Sequence, residues 1–399
     1  MFISPFLALS LAIAMMPLCI RLARRYALFD TPDAMRKMHE GEVPFTGGYG
    51  IILAFVIAVI TTALLHGGEV FLTGKERYDA MYPYIAEATV IIVVLGVMDD
   101  LRELSYSQKF FFQFFAASLM VLGAIKAQMF PQVFSMETSG VLISSLAMVV
   151  SLLWMVGTTN AINMIDGMDG LAGGTSLISA LALAVVALLW GNTALAVGLF
   201  TLGGAILGFL LFNVPPARVF MGDGGSMFIG FILSLSGWLL VDSGPSTLTS
   251  LTVPIIILGL PVSDTLLAFF RRIMLGKNPF SADLFHIHHM LRTKRGFSTK
   301  STVLLLALLA AVYGAAGVLV AVTPGFVGWI SIGVLLTFKL IFLRWLGYGD
   351  ILRSRGSVPR PVNVLPLNGN GVHLNGTNGH NGLNGHGSIT KGKQSRYTP

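Results

Sequence analysis

Apolar runs about as long as a bilayer is thick, separated by short polar segments, organise the chain from its second residue to about position 346. A hydrocarbon core needs about twenty apolar residues per helix. The pattern therefore predicts an all-α integral membrane protein with about eleven transmembrane helices. They are expected at 2–20, 47–66, 83–98, 109–127, 140–158, 172–190, 193–212, 226–241, 250–270, 302–321 and 325–346. The first run has neither a basic start nor a small-residue cleavage site, so it reads as a retained helix and not a signal peptide.

Basic residues orient the stack, because loops kept in the cytoplasm are enriched in Lys and Arg. With the N-terminus outside, the first inner loop holds Arg21, Arg24, Arg25, Arg36 and Lys37. The last inner loop then holds Arg271, Arg272, Lys277, Arg292, Lys294, Arg295 and Lys300. Outer segments hold only Lys75, Arg77 and Lys126, so the C-terminus falls in the cytoplasm. Composition agrees: of 399 residues 54% are hydrophobic and 11% charged, against roughly 25% charged in soluble domains. Topology accounts for the net charge of +7 without a nucleic-acid partner, and a single cysteine, Cys19, rules out an internal disulfide. The membrane domain spans 1–347. Residues 348–399, with the stretch "LNGNGVHLNGTNGHNGLNGHG", have little to bury and read as a disordered cytoplasmic tail.

On this topology the acids collect on the inner face. Asp99 and Asp100 end the third helix, Asp166 and Asp169 follow the fifth, and Asp223 follows the seventh. Asp264 lies about two turns from the inner end of the ninth. Acids beside hydrocarbon are costly and usually functional. Several carboxylates with few bases among them suit a hard cation such as Mg²⁺, with Mn²⁺ as an alternative. The segment "NAINMIDGMDGLAGG" sharpens the expectation: Asn160, Asn163, Asp166 and Asp169 recur every three residues, a stripe if the segment is helical. One such aspartate alone would read as a helix cap.

The last inner loop, "FRRIMLGKNPFSADLFHIHHML", adds His286, His288 and His289 to Arg272. A His-x-His-His cluster can hold zinc, but thiolate partners are missing and the acids favour a harder ion. Arg with its two-pronged geometry and His as a donor suit a diphosphate better. Lys37, beside Arg36 and His39 in the first inner loop, is a weaker candidate for the same site.

Taken in order, "VMDD", "NAINMIDGMDGLAGG", "NVPPARVFMGDGGS" and "PFSADLFHIHHML" resemble the polyprenyl-phosphate N-acetylhexosamine-1-phosphate transferases over about residues 30–297. The resemblance implies a Mg²⁺-dependent multi-pass enzyme of the bacterial inner membrane. It would move a sugar-1-phosphate from a UDP-sugar to a polyprenyl phosphate and release UMP. Asp99 and Asp100 would match the paired acids near lipid phosphate and metal, Asp223 the Mg²⁺ ligand, and Phe220 the aromatic stacked on uracil. Asn163, Asp166 and Asp169 would match the nucleotide-side stripe, and Arg272 with His286, His288 and His289 the diphosphate contacts. Asn160, Asn213, Lys109 and Lys37 join the expected substrate side, and Asp100, Asp166 and Asp223 the expected metal set.

The His-Ile-His-His order resembles the branch that makes undecaprenyl-diphospho-GlcNAc from UDP-GlcNAc and undecaprenyl phosphate. That reaction is the first membrane step of O-antigen, common-antigen or teichoic-acid linkage synthesis. The branch that transfers phospho-N-acetylmuramoyl-pentapeptide usually carries three consecutive histidines. The same reaction with another UDP-N-acetylhexosamine remains an alternative, as does a homodimer. The Asn/Gly/His tail departs from the family pattern. Attack by the lipid phosphate on the β-phosphorus of the donor can be direct or through a covalent aspartyl intermediate, and Asp99 is the candidate to deprotonate or orient the acceptor. A polyprenyl-lipid transporter would carry its polar groups near the bilayer midplane, and a non-catalytic scaffold would not need the motif set.

Overall fold

The computed structural model describes residues 3–30, 42–65, 79–129, 136–280, 285–323 and 325–349, all within one compact unit, Met1–Gly356. The tail from residue 350 onward and Lys37 lie outside the described residues.

Thirteen α-helices make up the described chain: α1 Ile3–Tyr26, α2 Gly47–Leu65, α3 Tyr82–Arg102, α4 Tyr106–Lys126, α5 Met136–Ile165, α6 Leu171–Leu189 and α7 Thr193–Asn213. They continue with α8 Gly222–Leu239, α9 Thr247–Ile257, α10 Gly259–Met274, α11 Ile287–Thr293, α12 Thr299–Val322 and α13 Phe326–Trp345. Local chemistry sets several starts. Ser105 and Gln108 form a reciprocal capping box on α4, and Asn192, Ser246 and Ser298 each accept an amide of the first turn of α7, α9 and α12.

Each expected run meets a helix, with three corrections. The run at 250–270 is not one helix: α9 and α10 meet at a 79° bend. Gly259 and Pro261 at the break weaken the backbone ladder there, the usual cause of a sharp kink. The fifth helix does not stop near 158 but continues to Ile165, carrying Asn160 and Asn163 with it. Among the described residues nine helices are long and apolar enough to span a membrane, up to ten with the bent pair. The acid-bearing α3 is not among the nine, so the expected eleven is not reached by length and composition.

Burial ranks the helices. Of the helices able to span a membrane, α8 is the most buried and α13 the most exposed. The central α8 packs on α2, α3 and α5, while α1 and α6 flank α7. Glycines allow the closest approaches. A Cβ on Gly48 would lie 2.3 Å from Gly225 Cα, and one on Gly96 2.4 Å from Gly224 Cα, so α2 and α3 touch the start of α8 backbone to backbone. A two-residue antiparallel pairing, Phe29–Asp30 with Val43–Pro44, leads into α2.

Candidate active site

The ends of α3, α5 and α7 and the starts of α2, α4, α6 and α8 all lie at one end of the bundle, which is what brings distant polar segments together. The chain entering α2 is stitched to the turn before α8: Phe220 N donates to Pro44 O at 2.7 Å, and Gly47 N and Gly48 N donate to Phe220 O and Met221 O, each at 2.9 Å. Phe220 is thereby fixed through its backbone with its ring partly open.

At the start of α8 the paired acids take different parts. Asp100 Oδ1 accepts from Asp223 N at 2.7 Å; its Oδ2 accepts from Gly224 N at 3.1 Å and from the Tyr49 hydroxyl at 2.8 Å. It therefore terminates α8 as an N-cap would, from another helix, and keeps a single lone pair on Oδ1. Asp99 accepts from Leu104 N at 2.8 Å through Oδ1 and forms an ion pair with Lys109 through Oδ2, with its side chain only 1% exposed. Lys109 Nζ also stands 3.9 Å from Asp223 Oδ2. Asp223 is the open member of the group, its side chain 40% exposed, with Oδ1 oriented by Asn163 Nδ2 at 2.5 Å. Asn163 also donates to Ser226 Oγ at 2.9 Å.

The three-residue stripe does not survive as one face, because α5 ends at Ile165 and Asp166 and Asp169 lie in the turn that follows. Asp169 Oδ2 accepts from Ala217 N at 3.0 Å, and Asn213 spans Gly170 N and Val219 O, each at 2.8 Å. These two residues, expected to contact substrate, fasten the 166–170 turn to the 214–219 loop. Asn160 pairs with Gln113 of α4 and with Val156 O, beneath the site. Asp166 stays half-buried. Burial first, then the charges of Asp223, Asp100 and Asp169, push its carboxyl up to about 8.

Among the described residues no three His, Cys, Asp or Glu side chains enclose a metal position by themselves. Mg²⁺ rarely needs such a cage: one or two carboxylates, waters and substrate phosphates usually complete its shell. Asp166 and Asp223 fit that requirement, since two acids that repel each other at an open site gain from a shared cation. Asp100 fits it less well, having committed three of its four lone pairs.

The histidine segment docks on the same turn. Phe280 packs edge-on against Phe110 of α4, ring centroids 5.0 Å apart, and against Phe269 of α10. His288 is buried with neither ring nitrogen hydrogen-bonded, and a Cβ on Gly167 would lie 2.7 Å from its Nε2. Burial, with His289 beside it, holds His288 neutral, its titration lowered to about 3. Arg272 is buried, and Nη1 donates to Pro279 O at 2.6 Å, so it also shapes the 275–280 turn. Its neighbour Arg271 lies between the rings of Phe285 and Tyr348, 5.5 and 5.1 Å from their centroids. Lys339 lines a pocket with Ser263, Ile287 and Tyr313.

Tyr49, Gln113 and Ser226 are site residues that sequence reasoning missed. Tyr49 stands in "GGYG" at the entrance to α2, and Gln113 is a lone amide within an apolar helix; both are signals that could have found them.

The family model for glycosyl transferase family 4 matches residues 82–241, the segment from α3 through α8. The chain is 34% identical over 332 residues to a probable undecaprenyl-phosphate N-acetylglucosaminyl 1-phosphate transferase of Bacillus subtilis (strain 168), covering 83% of this chain and 88% of that protein. It is 28% identical over 355 residues to undecaprenyl-phosphate α-N-acetylglucosaminyl 1-phosphate transferase of Escherichia coli O157:H7, covering 85% and 88%. To the Thermotoga maritima protein of that same name it is 31% identical over 276 residues, covering 69% and 76%.

Proposed function

From the premise that this chain belongs to the polyprenyl-phosphate N-acetylhexosamine-1-phosphate transferases of glycosyl transferase family 4, we propose that it transfers GlcNAc-1-phosphate from UDP-GlcNAc to undecaprenyl phosphate, giving undecaprenyl-diphospho-GlcNAc and UMP. The observation that carries the reading is the convergence of Asp223, Asp166 and Lys109 at one bundle end, against a turn that also receives His288.

Donor diphosphate and acceptor phosphate are both anions, so the site must first neutralise charge. Mg²⁺, held by Asp223 and Asp166, would supply a Lewis acid for the diphosphate. Lys109 offers its ammonium next to Asp223, with Asp99 anchoring it. Both oxygens of Asp99 are engaged, which supports a holding part over that of an open base. Asn163 keeps Asp223 in one rotamer, and Asp100 fixes the α8 start that carries it. Phe220 offers a ring for uracil, and Arg272 with the histidines borders the diphosphate. The lipid phosphate oxygen attacks the β-phosphorus, the bond to the bridging oxygen breaks, and UMP leaves with that oxygen.

The test is UMP release by the purified chain offered undecaprenyl phosphate and a panel of UDP-sugars. UDP-GlcNAc is expected to be preferred, activity to vanish with EDTA and to return with Mg²⁺ or Mn²⁺. Preference for another UDP-N-acetylhexosamine would move the donor assignment, and release unaffected by EDTA would remove the metal.

The basic loops support an inner-membrane orientation with the N-terminus outside and the site facing the cytoplasm. A cysteine at Pro245, between α8 and α9, should then label from outside intact cells, and one at Gly276, past α10, should not. Outside labelling at Gly276 would reverse the orientation.

A further inference from the structure

The helix α10 carries its ions on the buried side. Leu260, Asp264, Ala268, Arg271 and Arg272 fall on one helical face and are buried, while Leu266, Phe270, Ile273 and Met274 on the other side are exposed. A carboxylate enclosed this way is costly unless its oxygens are satisfied. Both oxygens of Asp264 are satisfied by a single turn of chain 22 residues on: Oδ2 lies 2.9 Å from His286 Nδ1, and Oδ1 accepts from Ile287 N at 3.0 Å. The side chains of the pair are only 6% and 7% exposed.

The geometry has two consequences. A carboxylate accepts, so His286 must carry its proton on Nδ1, and Nε2 is left as the nitrogen that can face a ligand. The bond to Ile287 N closes the start of α11, where His286 occupies the cap position without using its own side chain as a cap. The imidazoles of His286 and His288 are stacked, ring centroids 5.9 Å apart and planes 10° from parallel, with His288 seated on Gly167. Fixing the first ring therefore fixes the second against the turn that bears Asp166.

Resting on the transferase reading above, we propose that Asp264 is a positioning residue. It holds His286 in the Nδ1-protonated tautomer with one ring plane, and so aligns the His-x-His-His segment on the donor diphosphate. Asp264 does not reach the substrate; it acts through His286. The competing view is that Asp264 only caps α11.

Asp264→Asn separates the two views. The amide oxygen can still accept from Ile287 N, so the cap survives. The amide nitrogen now donates to His286 Nδ1 and forces the proton onto Nε2, the wrong tautomer. The full-length protein, its Asp264→Asn and His286→Ala variants and the double variant are compared for kcat, KM for UDP-GlcNAc, and melting temperature. We expect Asp264→Asn to lower kcat by about fiftyfold or more, since inverting a catalytic imidazole's tautomer is costly, with KM changed by less than about threefold. Melting temperature should hold. In the His286→Ala background the same substitution should have no further effect, because two residues acting as a unit are not additive. Near-normal kcat in Asp264→Asn, or losses that multiply in the double variant, would overturn the proposal. If Asp264→Asn does not yield folded protein, Asp264→Glu serves instead: it keeps the charge, displaces the oxygens, and should again be silent without His286. No UMP release by the wild-type chain would sink the transferase reading and this proposal together. An active wild type beside an unimpaired Asp264→Asn would sink this proposal alone.

Discussion

Asp223→Asn is expected to lower turnover at least about a hundredfold, on the order of 3 kcal/mol of transition-state stabilisation. The loss should be chemical and not structural. The amide oxygen can keep the bond from Asn163 Nδ2, and the start of α8 is closed by Asp100, not by Asp223. What disappears is the charge on the most open carboxylate of the site, the one a hard cation prefers. The pH dependence gives a second handle. Folded Asp166 holds its proton up to about 8, whereas unfolded it would lose it near 3.8. Between those values the folded state binds the extra proton, so raising pH disfavours folding, and a cation binding at Asp166 must displace that proton. Half-activation of the wild type should therefore need less Mg²⁺ as pH rises from 6 towards 8. Near-normal turnover of Asp223→Asn at low Mg²⁺ would remove the assignment.

Lys109→Met should be nearly as damaging and should also cost stability. Lys109 is the cation paired with Asp99 and near Asp223, and Asp99 is almost wholly enclosed. Removing the ammonium leaves a buried carboxylate without its counter-charge. A fully buried pair broken this way loses about 3–5 kcal/mol; with the lysine 20% exposed, about 1–3 kcal/mol is a fair expectation. The cross-check is Asp99→Asn combined with Lys109→Met. If the stability loss comes from the stranded charge, the double variant should regain much of the melting temperature, while activity stays low because the ammonium is still missing. A double variant less stable than either single one would show that Lys109 contributes mainly by packing.

Which side chains gather at one end of the bundle could largely be read from residues alone, for a reason visible at Asp99, Asp166 and Asp223. Each follows or opens an apolar run, and a chain that crosses a slab of hydrocarbon must return such junctions to one of two faces. Parity along the chain therefore assigns them to the same face. The roles were less legible. Asp100, Asp169 and Asn213 have the same chemistry as Asp223 and Asn163, and Asp169 and Asn213 share their motifs, yet their lone pairs and amide protons are taken mostly by backbone of other segments. Asp264 was visible as an acid near a helix end, but not its buried face, the bend that turns α10 or the histidine it meets.

Hydropathy along the chain is enough to put this protein in a membrane, to say where most of its helices run, and to say which end of the bundle gathers the acids. These follow from hydropathy and alternation, which depend on neighbours in the chain. Which polar atoms are spent on holding the fold, and which remain open, depends on how the helices pack. Tyr49 to Asp100, Asn163 to Asp223 and Asp264 to His286 join residues 51, 60 and 22 positions apart. A hydrogen bond forms or fails over a few tenths of an ångström, a distance set by how helices such as α2, α3 and α8 pack through Gly48, Gly96, Gly224 and Gly225.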